Sequence, residues 1–204
     1  MQYIVGIDEV GRGPLAGPVT VGIVVCEENL YKKLKKDKNL PPLGKDSKKL
    51  SPELRQKYAK YLKHIGVSYV VVNVSNKIID KKGISFAIIF AIEKGFEKLK
   101  TPTFQSGSRP EASALKILLD GGLKAPEEFK NQRTIIKGDE KEKIIAWASI
   151  LAKVSRDTLM CRLAKKYPKY GLGEHKGYGT VCHRKAIKKY GLSVIHRKSF
   201  CKNI

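Results

Sequence analysis

The feature that most constrains this chain is a pair of apolar, β-branched runs near its start, Tyr3–Val10 and Val19–Cys26, separated by GRGPLAGP. Alternation and β-branching predict strands, and the glycines and prolines between them allow only a turn or loop. An N-terminal hairpin follows. The Lys-rich connector from Tyr31 to Lys49, with the breakers of LPPLGKDSKKL, predicts an exposed loop. Ser51, Pro52 and Glu53 then read as an N-cap with proline in the first turn, opening a helix to about Lys63. The valine-rich run Val67–Val74 predicts a buried strand, followed by helices over Asn76–Lys82 and Ile84–Leu99. Leu115–Asp120, stopped by Gly121 and Gly122, predicts another buried strand, and Arg133–Lys137 a further one. One long helix is predicted from about Asp139 to Ala164 and a last one near Thr180–Tyr190. The pattern is that of an α/β domain over residues 1–164, with a basic, helical C-terminal region over 165–204 packed on it and no internal repeat.

Lys and Arg number 41 against 19 Asp and Glu, a net charge of +22. Solubility needs far less, so the excess predicts a polyanionic partner, either nucleic acid or an anionic membrane surface. From Cys161 onward there are 12 Lys and Arg and one acidic residue, Glu174, so this tail carries +11, half of the excess. No run approaches the ~18 apolar residues that span a bilayer, and the start has no basic segment leading into a long apolar stretch. A soluble, cytoplasmic protein is expected. Cys26, Cys161, Cys182 and Cys201 are scattered without a C-x-x-C pair, which suggests neither a zinc knuckle nor a disulfide framework, and predicts reduced, structural thiols.

In so basic a chain the informative residues are carboxylates set into apolar sequence, because a buried ionised group is costly unless paired or metal-bound. Asp8 lies inside YIVGIDEV with Glu9 directly after it, Asp120 ends LKILLD, and Asp157 falls on the stripe of Ile150 and Val154. Any one of them could be an ordinary cap or ion pair; Asp157, for example, has Arg156 and Lys153 nearby. Together they lack matching cations in their own segments and imply a hard divalent ion, Mg²⁺ or Mn²⁺ rather than zinc. Consecutive strand residues face opposite ways, so Asp8 and Glu9 can share a site only at a bulge, a strand end or through backbone ligation.

The stretch Gly11 to Gly17 has the glycine density of a dinucleotide-binding loop but fails its spacing, and a strand follows where that motif needs a helix. GKDSKK likewise fails the P-loop pattern. Glycines flanking Arg12 do permit close approach of a sugar–phosphate backbone beside the carboxylates, although a plain hairpin turn would look the same. In the tail, GLGEHKGYGT, HRKAIKKY and HRKSF interleave aromatics, histidines and cations in a composition suited to phosphates and stacking. KAIKKY alone reads as a solvated helix, whereas Tyr178 between two glycines is an aromatic that a simple loop does not call for. The tail histidines lack zinc-ligand spacing, so structural or phosphate-contacting roles are expected.

The blocks GIDEVGRGPLAGPV, KDSKKLS, LLDG, ASILAKVSRD, HKGYGT and HRKSF, spread over nearly the whole chain, are similar in order and chemistry to the signature blocks of the type 2 ribonucleases H. That resemblance implies an RNase H-like mixed sheet flanked by helices, and a nuclease acting on RNA–DNA hybrids and on ribonucleotides embedded in DNA. It implies cleavage 5′ to the ribonucleotide, leaving 3′-OH and 5′-phosphate ends, in service of ribonucleotide and primer removal. By the same resemblance Asp8, Glu9, Asp120 and Asp157 are the catalytic carboxylates that hold two Mg²⁺ or Mn²⁺ ions. Gly11, Arg12 and Gly13 match the motif that, with Tyr178, reads the junction where a ribonucleotide is followed by DNA, and Lys48 matches a phosphate-contacting lysine. A monomer is implied, and a sliding-clamp partner is left open. Two departures stand out: Val10 where alanine is common, and Trp147 at a usually small position. The sister type 3 family is less similar, since its glycine-rich motif lacks the arginine and it carries an extra N-terminal domain not expected here. On residue chemistry alone, a metal nuclease of the same fold that cuts RNA-free junctions, or a hybrid-binding protein without activity, would also fit.

Overall fold

The computed structural model describes residues 2–41, 50–65, 67–99 and 111–204. Its elements are β1 (Tyr3–Val10), β2 (Val19–Glu27), α1 (Glu28–Leu34), α2 (Pro52–His64), β3 (Ser68–Val74), α3 (Asn76–Lys82) and α4 (Ile84–Lys98). They continue with β4 (Leu115–Asp120), β5 (Gln132–Ile135), α5 (Gly138–Lys141), α6 (Lys143–Lys166), α7 (Leu172–His175) and α8 (Val181–Tyr190). The five strands form one mixed sheet in the order β3-β2-β1-β4-β5. β1 and β2 make the expected antiparallel hairpin, in register from Tyr3 opposite Glu27 to Val10 opposite Thr20. β3 continues antiparallel on β2, whereas β4 lies parallel to β1 and β5 parallel to β4. No described helix is long and apolar enough to cross a membrane.

Side-chain alternation divides the core between the two faces of the sheet. Val5 and Ile7 point with Val21, Ile23, Ile117 and Leu119 into a layer closed by Ala87, Ile88, Ala91, Ile92 and Phe96 of α4. Ile4, Val24 and Leu118 point the other way, against Leu62 of α2 and Ile144, Ile145, Trp147, Ala148 and Leu151 of α6. Two glycines let α6 settle there. A Cβ on Gly6 would lie 2.3 Å from the Ile144 carbonyl oxygen, and one on Gly22 would lie 2.3 Å from that of Ala148. Gly22 is the partner of Asp8 across the hairpin, so the close approach of α6 roofs Asp8. A third cluster joins Leu15 and Ala16 of the hairpin loop to Met160 of α6 and to Tyr170, Leu172, Ile187 and Ile195, so residues 165–204 pack directly on that loop.

Several local expectations are corrected. The connector predicted as a loop from Tyr31 begins inside α1; Leu30, Tyr31 and Leu34 form an apolar stripe that its lysines obscure, and Tyr31 is buried edge-on against Trp147. Residues 42–49 lie outside the described residues. β3 is only half-buried because it is an edge strand, paired with β2 alone. β5 stops at Ile135, since Lys137 turns left-handed at φ 54°. The predicted long helix is interrupted at Glu142, whose extended backbone separates α5 from the 24-residue α6. All four cysteines are free, but only Cys26 and Cys201 are buried; Cys161 and Cys182 are exposed.

Candidate active site

The parallel register of β1 and β4 ends with Ile7 opposite Leu119, so the next residue of each strand, Asp8 and Asp120, emerges at the same end of the sheet. One carboxylate oxygen from each of Asp8, Glu9 and Asp120 lies within 4.8 Å of the others. The facing problem posed by consecutive Asp8 and Glu9 is met by the strand end. β1 pairs regularly with β2 through Val10, but Glu9 lies past the last β4 rung and its longer side chain reaches the shared space.

Each carboxylate is held. The Glu9 N–H donates to Asp8 Oδ1 at 2.8 Å, Arg12 Nη1 donates to Glu9 Oε1 at 2.9 Å, and the Gly138 N–H donates to Asp120 Oδ1 at 2.6 Å. Burial pushes the Asp8 carboxyl well above the usual carboxylate range, a hydrogen bond from Ser149 opposes this, and the charges of Glu9, Asp120 and Asp139 add to it. Glu9 is raised too, by burial first, with Arg12 pulling it back. Carboxylates gathered around a buried one repel each other unless a cation joins them, and an all-oxygen set of this kind fits a hard divalent ion such as Mg²⁺ or Mn²⁺.

Asp157 lies outside this trio. It sits on α6 and pairs with Lys153 at 2.8 Å, one of the simple pairings open to it from sequence. Lys153 lines a cavity of about 140 Å³ with Val10, Arg55, Asp139, Ala146, Ser149 and Ile150, between α2, α5, α6 and the end of β1. Lys48 lies outside the described residues. Gly11, Arg12 and Gly13 follow β1 directly, with Gly11 buried at φ 92° and Arg12 and Gly13 exposed. The Gly177 carbonyl accepts from the N–H groups of Leu15 (2.8 Å) and Ala16 (3.3 Å), which brings the turn of Tyr178 against this loop. The Tyr178 ring remains 41% exposed, free to stack.

Asp139 and Ser149, which sequence reasoning did not single out, lie beside Asp8, and the tail histidines form a layer behind Tyr178. His183 Nδ1 donates to the Tyr178 carbonyl at 2.9 Å, which leaves its Nε2 to accept from His196 Nε2 at 3.1 Å, while His196 Nδ1 accepts from the Ser193 N–H at 2.9 Å. A carbonyl can only accept, so both rings are neutral in fixed tautomers. Burial lowers the His183 pKa to about 4. The expected structural role fits these contacts.

The ribonuclease HII family model matches residues 5–203. The chain belongs to the ribonuclease HII family. It is therefore a nuclease of the ribonuclease H kind, hydrolysing RNA strands in RNA–DNA hybrids, and its RNase H-like mixed sheet is the fold of that family. Among curated relatives, ribonuclease HII of Caldicellulosiruptor bescii is 42% identical over 203 residues, covering 100% of this chain and 88% of the relative. Among solved structures, ribonuclease H2 from Pyrococcus horikoshii superposes with a TM-score of 0.71 at 28% identity, covering 99% of this chain and 100% of that one. The RNase HII of the PCNA:RNase HII complex from Archaeoglobus fulgidus gives a TM-score of 0.70 at 25% identity, covering 98% and 95%.

Proposed function

We propose that this chain cuts the RNA strand of hybrids and also the DNA strand on the 5′ side of single embedded ribonucleotides, by two-metal-ion hydrolysis leaving 3′-OH and 5′-phosphate ends. Asp8, Glu9, Asp120 and Asp157 hold the ions; Gly11, Arg12, Gly13, Lys48 and Tyr178 hold the nucleic acid. The observation that carries this reading is the convergence of Asp8, Glu9 and Asp120 at the sheet end directly beside Arg12.

When bound, Mg²⁺ or Mn²⁺ supplies Lewis acidity toward water and the scissile phosphate. The chain's own part is placement. Asp8 is held by Ser149 and by the Glu9 N–H, so its oxygens are fixed before substrate arrives. Glu9 orients Arg12, whose guanidinium then offers phosphate a donor adjoining the carboxylates. Tyr178 offers a stacking face for the sugar or base next to the cut, and the 2′-OH is the group that tells ribonucleotide from deoxyribonucleotide. Asp157, paired with Lys153 here, would be the fourth carboxylate to hold the ions. The tail over residues 165–204, with its net charge of +10, clasps the duplex against the catalytic part, residues 1–164.

In this reading the chain is a cytoplasmic monomer serving ribonucleotide and primer removal in replication and repair, with a sliding clamp as a partner of the kind named for the Archaeoglobus protein. Incubation with all-DNA, all-RNA, hybrid and single-ribonucleotide duplexes, with and without Mg²⁺ or Mn²⁺, tests it. Cation-dependent cutting of the last two alone is expected; cutting of all-DNA substrates, or binding without products, would refute it.

A further inference from the structure

Beneath the loop between β1 and β2 lie two arginines that the mechanism leaves unused. Arg156, on α6, and Arg197, in the tail, are both fully buried. Arg197 donates from Nε to the Gly17 carbonyl (2.9 Å), from Nη1 to that of Arg12 (2.8 Å) and from Nη2 to that of Gly11 (2.7 Å). Arg156 donates from Nε to the Pro18 carbonyl (3.1 Å) and from Nη2 to that of Ala16 (3.4 Å). Five carbonyls of the segment 11–18 therefore turn inward onto two guanidiniums. The N–H groups of Leu15, Ala16 and Gly17 are taken by Gly177 and Ile195, and residues 14 and 18 are prolines. Among the described residues this leaves the N–H groups of Gly11, Arg12 and Gly13 without a backbone acceptor, the last two at the exposed tip.

The arrangement explains a glycine and poses an electrostatic question. A Cβ on Gly11 would lie 2.3 Å from Arg156 Nε, so residue 11 is bare because a guanidinium lies against it. Among the described residues neither arginine forms a salt bridge, Asp157 acting on Arg156 and Asp80 on Arg197 only from farther away, and Nη1 of Arg156 has no hydrogen-bond partner. Burial and the neighbouring Arg156 push Arg197 down to about 10. Neutral amides could hold loop carbonyls without two adjacent buried cations, whose desolvation is costly. A phosphate received above the loop would add a nearer counter-charge to the distant pull of Asp157 and Asp80. The Arg156 guanidinium also lies 5.7 Å from the centre of the Tyr178 ring, so the pair underlies both parts of the junction-reading surface.

We propose that Arg156 and Arg197 are positioning residues for substrate: they fix the loop so that the Arg12 and Gly13 amides face the nucleic-acid backbone, and they place positive charge beneath the phosphate received there. This rests on the nuclease reading above. Arg197→Lys keeps the charge but cannot span three carbonyls, and Arg156→Lys does the same at the other end of the loop. For each, KM and kcat on a single-ribonucleotide duplex are measured beside Mn²⁺ affinity by calorimetry and the melting temperature. KM is expected to rise about 10- to 100-fold, as the loss of one or two charged hydrogen bonds to substrate-facing backbone implies, with kcat falling far less and Mn²⁺ affinity kept. A wild-type KM in a folded variant overturns the proposal. So do equal losses in KM and kcat with weakened Mn²⁺ binding, or failure of both variants to fold, since either outcome marks the pair as structural. If wild-type protein cuts no RNA-containing duplex, it is the nuclease reading that fails.

Discussion

Neutralising Asp8 has two consequences of opposite sign, because its carboxyl is buried among other carboxylates. Its folded pKa is raised, so without a cation Asp8 favours folding only while protonated, and that contribution is lost as pH rises through the raised value. At neutral pH its ionised form is a cost. Asp8→Asn is therefore expected to abolish cleavage and yet raise the melting temperature of metal-free protein, by roughly 2–4 °C for each kcal/mol of repulsion relieved. Calorimetry in a chelator and a cleavage assay check both halves; a lower melting temperature would mean that Asp8 is a stabilising ion-pair member instead. Arg12→Ala and Tyr178→Ala are expected to weaken cleavage of single-ribonucleotide duplexes more than cleavage of long hybrids, and equal losses on both would deny these residues a part in reading the junction. Asp8 and Asp120 were legible because acids in apolar runs of a +22 chain are anomalous. Arg156 and Arg197 were not, because in such a chain a cation looks like solvated surface until the fold buries it.

At the scale of elements, the site depends on how closely α6 approaches the sheet. Gly6→Ala and Gly22→Ala each push a methyl group into α6 backbone and are expected to cost about 1–3 kcal/mol. Because Gly22 neighbours Asp8 across the hairpin, Gly22→Ala should also weaken Mn²⁺ binding, read by calorimetry on protein that still melts cooperatively. Unchanged stability would show that α6 shifts freely. β1, β2 and β4 were readable from β-branched alternation, and α2 from its Ser51 cap, whose Oγ accepts from the Leu54 N–H at 3.2 Å. The break at Glu142 and the exposure of β3 were not, since both are settled by tertiary neighbours rather than by local pattern. Glu142 accepts a hydrogen bond from the buried Tyr31 hydroxyl across 111 residues of chain.

Over the whole molecule, the tail is held in shape by histidine contacts within it that tolerate no extra proton. The pKa of His183 is depressed, so the unfolded chain takes up a proton first as pH falls, and stability is lost from about 6.5 toward 4. His183→Gln is expected to flatten that part of the stability profile, measured as denaturant midpoints between pH 7.5 and 4.5; an unchanged profile would assign the acid sensitivity elsewhere. The charge of the tail was plain from composition, but the packing of Leu15 and Ala16 against Met160 and Ile195 joins segments far apart in sequence and leaves no local trace. The central claim, a cation-dependent cut beside a ribonucleotide placed by Asp8, Glu9, Asp120 and the Arg12 loop, is tested most directly by mapping both ends produced from a duplex with one embedded ribonucleotide. With Mg²⁺ or Mn²⁺ the account predicts one cut on the 5′ side of the ribonucleotide, leaving 3′-OH and 5′-phosphate, and none in a chelator or with Asp120→Asn; a cut on its 3′ side, cyclic phosphate ends or chelator-resistant cleavage would contradict it.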